Sequence, residues 1–265
     1  MPTNPYTRDF YKFEAAGSRQ SAEVIVPLVL ELVPARSVVD VGCGIGTWLA
    51  AFENHGVKEI LGVDGDYVDQ QQLQIPSDRY IAADVSRPLH LGRRFDLAVS
   101  AEVGEHLPAD SADTFVASLT QLAPVVLFSA AIPFQQGTQH VNEQWPEYWA
   151  EHFQNHGYVP VDAIRAQVWQ DDRVEWWYAQ NVLLYVRRED LPRYPALQQA
   201  FERTDPHRLT LVHPRNYIVR QLAVEDYATL LPLRKILAAL PIATKRALVR
   251  RIHYSRSLLV ATPRR

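Results

Sequence analysis

Between residues 39 and 47 the chain reads Val39-Asp40-Val41-Gly42-Cys43-Gly44-Ile45-Gly46-Thr47, three alternate glycines directly after a short β-branched run. The run Ser37-Val38-Val39-Asp40-Val41 has the pattern of a strand buried on both faces. The glycines after it allow a tight turn and let a ligand approach bare backbone. A helix is predicted from Thr47 to about His55, closed by Gly56 where left-handed backbone is needed. Strand, glycine turn and helix in that order begin a parallel α/β sheet, in which ligands bind outside the carboxyl ends of the strands.

The chain keeps that alternation. Ser21 is expected to cap a helix over residues 22–33, kinked at Pro27. Strands are predicted over residues 59–64, 80–84, 95–100 and 125–129. The helix predicted over 110–122 puts Phe115, Val116, Leu119 and Leu122 on one face. Pro146 suits the first position of a helix over 146–156 that Gly157 closes. Residues 159–165 and 181–186 read as two further strands forming an antiparallel terminal hairpin. The expected fold class is therefore α/β: a Rossmann-like, mainly parallel sheet with helices on both faces, the hairpin, and a helical C-terminal appendage. Leu191-Pro192-Arg193-Tyr194-Pro195 reads as a linker, so the domains are expected at 1–188 and 189–265.

Composition narrows the function classes. A formal net charge of −3 gives no overall electrostatic case for nucleic acid. The lone cysteine, Cys43, excludes an intrachain disulfide. Met1 to Phe10 lacks the apolar core of a signal peptide and no apolar run has transmembrane length, so a cytoplasmic protein is expected.

The ligand is narrowed by spacing. Asp64, at the tip of the second strand beside Gly65, is placed to accept hydrogen bonds from ribose hydroxyls. The dinucleotide fingerprint needs a glycine at its sixth position, where this chain has Thr47 counted from Gly42 and Leu49 counted from Gly44. The Gly-Lys-Ser/Thr of a P-loop is absent, so a pyrophosphate cradle is disfavoured.

On these residues the chain resembles the class I S-adenosylmethionine-dependent methyltransferases. Asp40-Val41-Gly42-Cys43-Gly44-Ile45-Gly46-Thr47 looks like their first motif, Asp64 like their ribose acid, and Asp84-Val85 like the pair that holds the adenine. The segment Ala101-Glu102-Val103-Gly104-Glu105-His106-Leu107 is similar to the one beside their methyl donor. The resemblance covers roughly residues 37–188 and implies a donor site formed by Asp40, Gly42, Cys43, Gly44, Gly46, Thr47, Asp64, Gly65, Asp84, Val85 and Ala101. A plain tight turn without ligand is the competing reading of a lone glycine cluster; two strand-tip acids in register argue against it.

Glu102, Glu105 and His106 follow strand four, and residues three and four apart share one face of a helical turn. His140, after strand five, falls at the neighbouring strand end. Two chemical readings stand side by side. His106, His140 or Glu102 acts as a catalytic base on an attacking hydroxyl, or Glu102, Glu105, His106 and His140 hold Mg²⁺ or Mn²⁺, which grips an acceptor diol and lowers its pKa. The second is similar to small-RNA 3′-terminal 2′-O-methyltransferases, and ubiquinone-pathway O-methyltransferases carry a similar run. In the third reading the Glu-His pair simply orients the turn.

The polar run Pro133–Trp145 suits a polyhydroxylated acceptor, with Trp145, Tyr148 and Trp149 as flat surfaces for sugars. Similar sequences belong to bacterial methyltransferases of glycan and glycosylated natural-product pathways. A sugar or glycosylated small molecule is thus the expected partner, with a quinone-like or aromatic hydroxyl as the alternative, RNA third, and a non-catalytic donor-binding scaffold from a different class. Trp169, Trp176 and Trp177 form an acceptor platform, a homodimer patch or a cover over the sheet edge. From Pro241 to Arg265 the chain has seven Lys or Arg and no acid. Its basic amphipathic helices either touch a membrane surface peripherally or pack on their own domain.

Overall fold

The computed structural model describes residues 8–230 together with Thr244. One compact unit ends at Asn216 and a second begins at Tyr217. The basic amphipathic helices expected in the C-terminal tail lie almost wholly outside the described residues.

The first unit follows the alternation: α1 (Arg8–Leu32), β1 (Ser37–Val41), α2 (Thr47–Asn54), β2 (Glu59–Asp64), β3 (Tyr80–Ala82), β4 (Leu97–Ala101), α3 (Ala112–Leu122), β5 (Val125–Ser129) and α4 (Pro146–Asn155). It continues with β6 (Tyr158–Val161), α5 (Arg165–Val168), α6 (Trp176–Asn181), β7 (Leu183–Arg187) and α7 (Pro195–Arg203). The seven strands lie in the order β3-β2-β1-β4-β5-β7-β6. β1 through β5 pair in parallel, while β7 runs antiparallel to both β5 and β6. This is the Rossmann-like sheet with an antiparallel terminal pair that the pattern predicts.

Period-two burial distributes β1 between two cores. Val38 joins Ile25, Trp48, Phe52 and Leu97 on one face, with residues of α1 and α2. Val39 and Val41 join Phe115, Leu119 and Phe153 on the other, with residues of α3 and α4. Helices on both faces therefore leave the strand ends as the place where a ligand can enter.

Three local expectations change. Ser21 does not cap α1, which starts at Arg8; its hydroxyl bonds back to the Gly17 carbonyl at 2.7 Å and accepts from the Glu175 backbone at 2.9 Å. The strand expected to reach Arg165 stops at Val161, because Arg165 turns inward as the start of α5. The strand expected from Asn181 starts at Leu183, and part of the tryptophan-rich stretch becomes α6, with Trp169, Trp176 and Trp177 half-buried. Leu191 and Leu197 are buried in the first core, so the compact unit extends beyond the boundary expected at residue 188. In the second unit the described residues continue helix α8 (Pro214–Leu230), the expected helical C-terminal region. Among the described residues no helix is long and apolar enough to cross a membrane.

Arg165 ties the far end of this unit together. Its side chain is 1% exposed and donates to the carbonyls of Gln180 at 3.1 Å and Leu209 at 2.7 Å and to Asp162 at 2.7 Å. Truncation strands two buried carbonyls and one carboxylate. Arg165→Ala is predicted to lower unfolding free energy by about 3 kcal/mol in urea titration; a loss below about 1 kcal/mol would show that water replaces the guanidinium.

Candidate functional site

The ends of β1, β2 and β4 and the start of α2 border an open cleft with a cavity volume of about 180 Å³. Gly42, Gly44 and Gly46 all have positive φ, at 85°, 52° and 83°. A Cβ at Gly42 would collide with the Val103 side chain. Only glycine fits that turn without strain.

Asp64 anchors the floor. Its Oδ2 accepts from the Gly44 backbone at 2.6 Å, while Oδ1 accepts from the Gly65 backbone at 2.6 Å and the Tyr67 hydroxyl at 2.5 Å. Burial pushes its carboxyl above the usual range against these bonds. Asp40 is pushed up further, by burial and then by the Asp64 charge. Of the residues expected to hold a donor, Asp40, Gly42, Cys43, Gly44, Thr47, Asp64, Val85 and Ala101 line the cleft. Gly46 shapes the turn and Gly65 supports Asp64. Asp84 is not among the described lining residues; its carboxylate accepts from Ser86 and Arg87, and the Ser86 hydroxyl holds it below the usual range.

The segment after β4 supplies the other wall. Glu102 and His106 line the cleft. Glu102 has left-handed backbone at φ 56°, an unusual state for a side chain that tertiary structure must hold. Its backbone N–H reaches the Ser129 carbonyl at 2.9 Å, and its carboxylate accepts from Gln135 at 2.9 Å and Asn181 at 3.1 Å. Burial raises its pKa to about 7, opposed by those donors. Glu105 is fully buried. Neither of its oxygens has a hydrogen-bond partner of good geometry, the nearest polar groups being its own backbone, that of Ala131 and the Glu102 carboxyl. Burial first and the Glu102 charge second drive its pKa well up.

The loop after β5 closes on this wall because the Glu105 carbonyl accepts from the backbones of Val141 at 2.8 Å and Asn142 at 3.0 Å. His140 thereby meets His106 edge to face, ring centroids 4.9 Å apart. Burial, with the His140 charge second, lowers the His106 pKa to about 4, so its imidazole is neutral near pH 7. Glu105, His106 and His140 each offer a ligand atom within 4.8 Å of the others. Glu102, expected in the same set, is instead engaged by the two amides.

Sequence reasoning left out several participants. Trp48, Tyr67 and Tyr178 line the cleft; Trp48 and Tyr67 stand one and three residues beyond recognised motif positions, a usable signal. Asn181 and Glu143 carried none, since their roles arise only where distant loops meet.

The sequence matches the model of a methyltransferase-domain family over residues 13–177. No curated protein matches it in sequence. In structure it is similar to the sugar N-methyltransferase KedS8 from Streptoalloteichus sp. ATCC 53650, with a TM-score of 0.57, 16% identity, and coverage of 71% of this chain and 95% of that one. It is also similar to a putative O-methyltransferase from Nostoc punctiforme PCC 73102, with a TM-score of 0.50, 17% identity, and coverage of 67% and 58%. The fold and cleft define a class I S-adenosylmethionine-dependent methyltransferase. The chain belongs to the methyltransferase-domain family, its match spanning more than half of its length.

The raised carboxyls give a pH signature. Glu102 keeps in the native state a proton that the unfolded chain releases between about 4.5 and about 7. Its contribution to stability is complete at the acid end of that window and is lost as pH rises through 7. His106, held near 4, acts with the opposite sign below 6.5; comparison with a Glu102 variant cancels it. In chelator, Glu102→Gln is predicted to lose less Tm than wild type between pH 5 and pH 8, by a few degrees. Parallel melting profiles would refute the assignment.

Proposed function

We propose that the protein transfers the methyl group of S-adenosylmethionine to a hydroxyl of a sugar or glycosylated small molecule. The observation that carries the donor half is the charge of the cleft. Among the described residues, Asp40, Asp64 and Glu102 line it with no lysine or arginine, and His106 there is neutral. Such a lining repels phosphates and attracts a cationic sulfonium nucleoside. Asp64, at the second strand tip, suits the ribose, with Tyr67 giving way to its hydroxyls. Val85 lines the region expected for the adenine, beside Asp84.

The acceptor half rests on the loop after β5. It presents Gln136, Thr138 and Gln139 exposed, with Phe134 and Trp145 as exposed flat faces. That mixture suits a polyhydroxylated acceptor. In methyl transfer the carbon–sulfur bond breaks as the oxygen–carbon bond forms in line, so alignment is the main task. The hydroxyl proton must go to a base at the same rim.

A divalent cation fits the rim. Glu105 is buried with neither oxygen in a hydrogen bond of good geometry, a cation beside it would favour its ionised form, and the two imidazoles beside it complete a donor set for Mg²⁺ or Mn²⁺. Glu105, His106 and His140 would hold the ion, with Glu102 adjoining. Bound there, it would lower the pKa of an acceptor hydroxyl. A second, metal-free reading is favoured by Glu102 alone, whose pKa near 7 is that of a general base.

Two measurements test this. In isothermal titration, Gly42→Ala is expected to abolish S-adenosylhomocysteine binding, and Asp64→Ala to weaken it about tenfold or more, ~1.4 kcal/mol. Unchanged affinities would remove the donor from this cleft. Labelled methyl transfer is expected to a panel of glycosides, to fall in EDTA and to return with Mn²⁺. Label on catechols alone would replace the acceptor class, full turnover in chelator would leave Glu102 as base, and donor binding without transfer to any acceptor would indicate a scaffold.

A further inference from the structure

One carboxylate, outside every motif, organises the acceptor loop. Glu143 Oε2 accepts from the Phe134 backbone at 2.8 Å, and its Oε1 accepts from the Gln136 backbone at 2.5 Å and meets His140 Nδ1 at 2.9 Å. Both partners of the last pair are largely buried, with side chains 12% and 18% exposed. Three residues of this short loop, Phe134, Gln136 and Gln139, have positive φ without being glycine. Left-handed backbone at side-chain-bearing residues persists only where something over-determines it. Glu143 does so by taking two of the freed backbone donors.

The same carboxylate fixes which nitrogen of His140 carries the proton. A hydrogen bond from Nδ1–H to a carboxylate leaves Nε2 with its lone pair as the available ligand atom and raises its basicity. Gly137 permits this pose, because a Cβ there would overlap Nε2. The imidazole is thus clamped from two sides by its own loop, beside Glu105 and His106.

We propose that Glu143 is the positioning residue of the acceptor rim, holding His140 in the tautomer and orientation that let Nε2 bind a divalent cation together with Glu105 and His106. The proposal rests on the metal-assisted reading above, and the experiment separates the two. Mn²⁺ alone is titrated into the full-length protein and followed by the loss of the free-ion electron paramagnetic resonance signal. Wild type is expected to bind, and Glu143→Ala to bind 10- to 100-fold more weakly, the usual loss for a ligand's supporting carboxylate, with affinity for S-adenosylhomocysteine unchanged. In a His140→Ala background the further change Glu143→Ala is expected to have no added effect, because the two residues act as one unit. An equal additional loss there would make Glu143 a general loop strut and overturn the proposal. Equal Mn²⁺ affinity of wild type and Glu143→Ala overturns it while leaving the metal reading intact. No Mn²⁺ binding by wild type removes both. Should Glu143→Ala also lose the nucleoside, the isosteric Glu143→Gln takes its place in each comparison, with a loss of about tenfold expected and no loss again overturning the proposal.

Discussion

Removing a carboxylate from water is expensive unless a positive partner or several donors go with it, and this cost organises the whole rim of the sheet. Asp40, Asp64, Glu102 and Glu105 all end in the same region with pKa values raised by burial. None of the four forms an ion pair with lysine or arginine among the described residues. Burial thus disfavours their ionised forms, and a cation bound beside them would restore those forms. The sulfonium of the donor carries such a charge and the thioether left after transfer does not. On the proposed reading, the acids of this rim favour the charged reactant over the neutral product.

Holding those acids in place is the task of the strand ends rather than of flexible loops. Glu102 keeps left-handed backbone because β4 and β5 are paired through Ala101 and Ser129, which fixes the chain on either side of it. Its carboxylate is then fixed by Gln135 and Asn181, which bond to each other at 2.9 Å. Gln180 joins them through the Gln135 amide at 3.1 Å and accepts from the His213 backbone at 2.9 Å. A satisfied buried network of this kind rigidifies what it touches. Local strain at Glu102 is thus sustained by packing that extends to the end of the first compact unit.

Legibility in the sequence followed the range of the interactions. The glycine turn, the first two strands and the acid at the tip of β2 are local, so three glycines after a short β-branched run were enough to place them. Likewise Glu102, Glu105 and His106 could be grouped because a single short turn carries them. The N-terminal extension of α1 was hidden because Ser21 resembles a cap, and only the contact with Glu175, distant in sequence, shows its interior role. Arg165 and Asn181 read as strand ends because β-branched and aromatic residues border them, and the stretch between them gave no helical pattern. Burial of Arg165 and the packing of α6 decide against strand, and neither has a local signature. Glu143 and Asn181 were illegible for the same reason.

On the proposed reading, the antiparallel end of the sheet accounts for how one cleft would serve two partners. β1, β2 and the glycine turn supply bare backbone and acids, which recognise features common to every nucleoside donor. β7, inserted between β5 and β6, places α6 so that Tyr178 reaches the cleft and Asn181 reaches Glu102. The loop between β5 and α4 adds His140 and Glu143. Donor recognition therefore depends on parallel strands whose geometry is fixed by pairing on both sides, whereas the acceptor wall is made of connections between elements. Those connections can change length and chemistry without disturbing the sheet. On the proposed reading this division assigns acceptor specificity to residues 134–145 and 176–181, and it explains why the donor half was the part that motif spacing revealed.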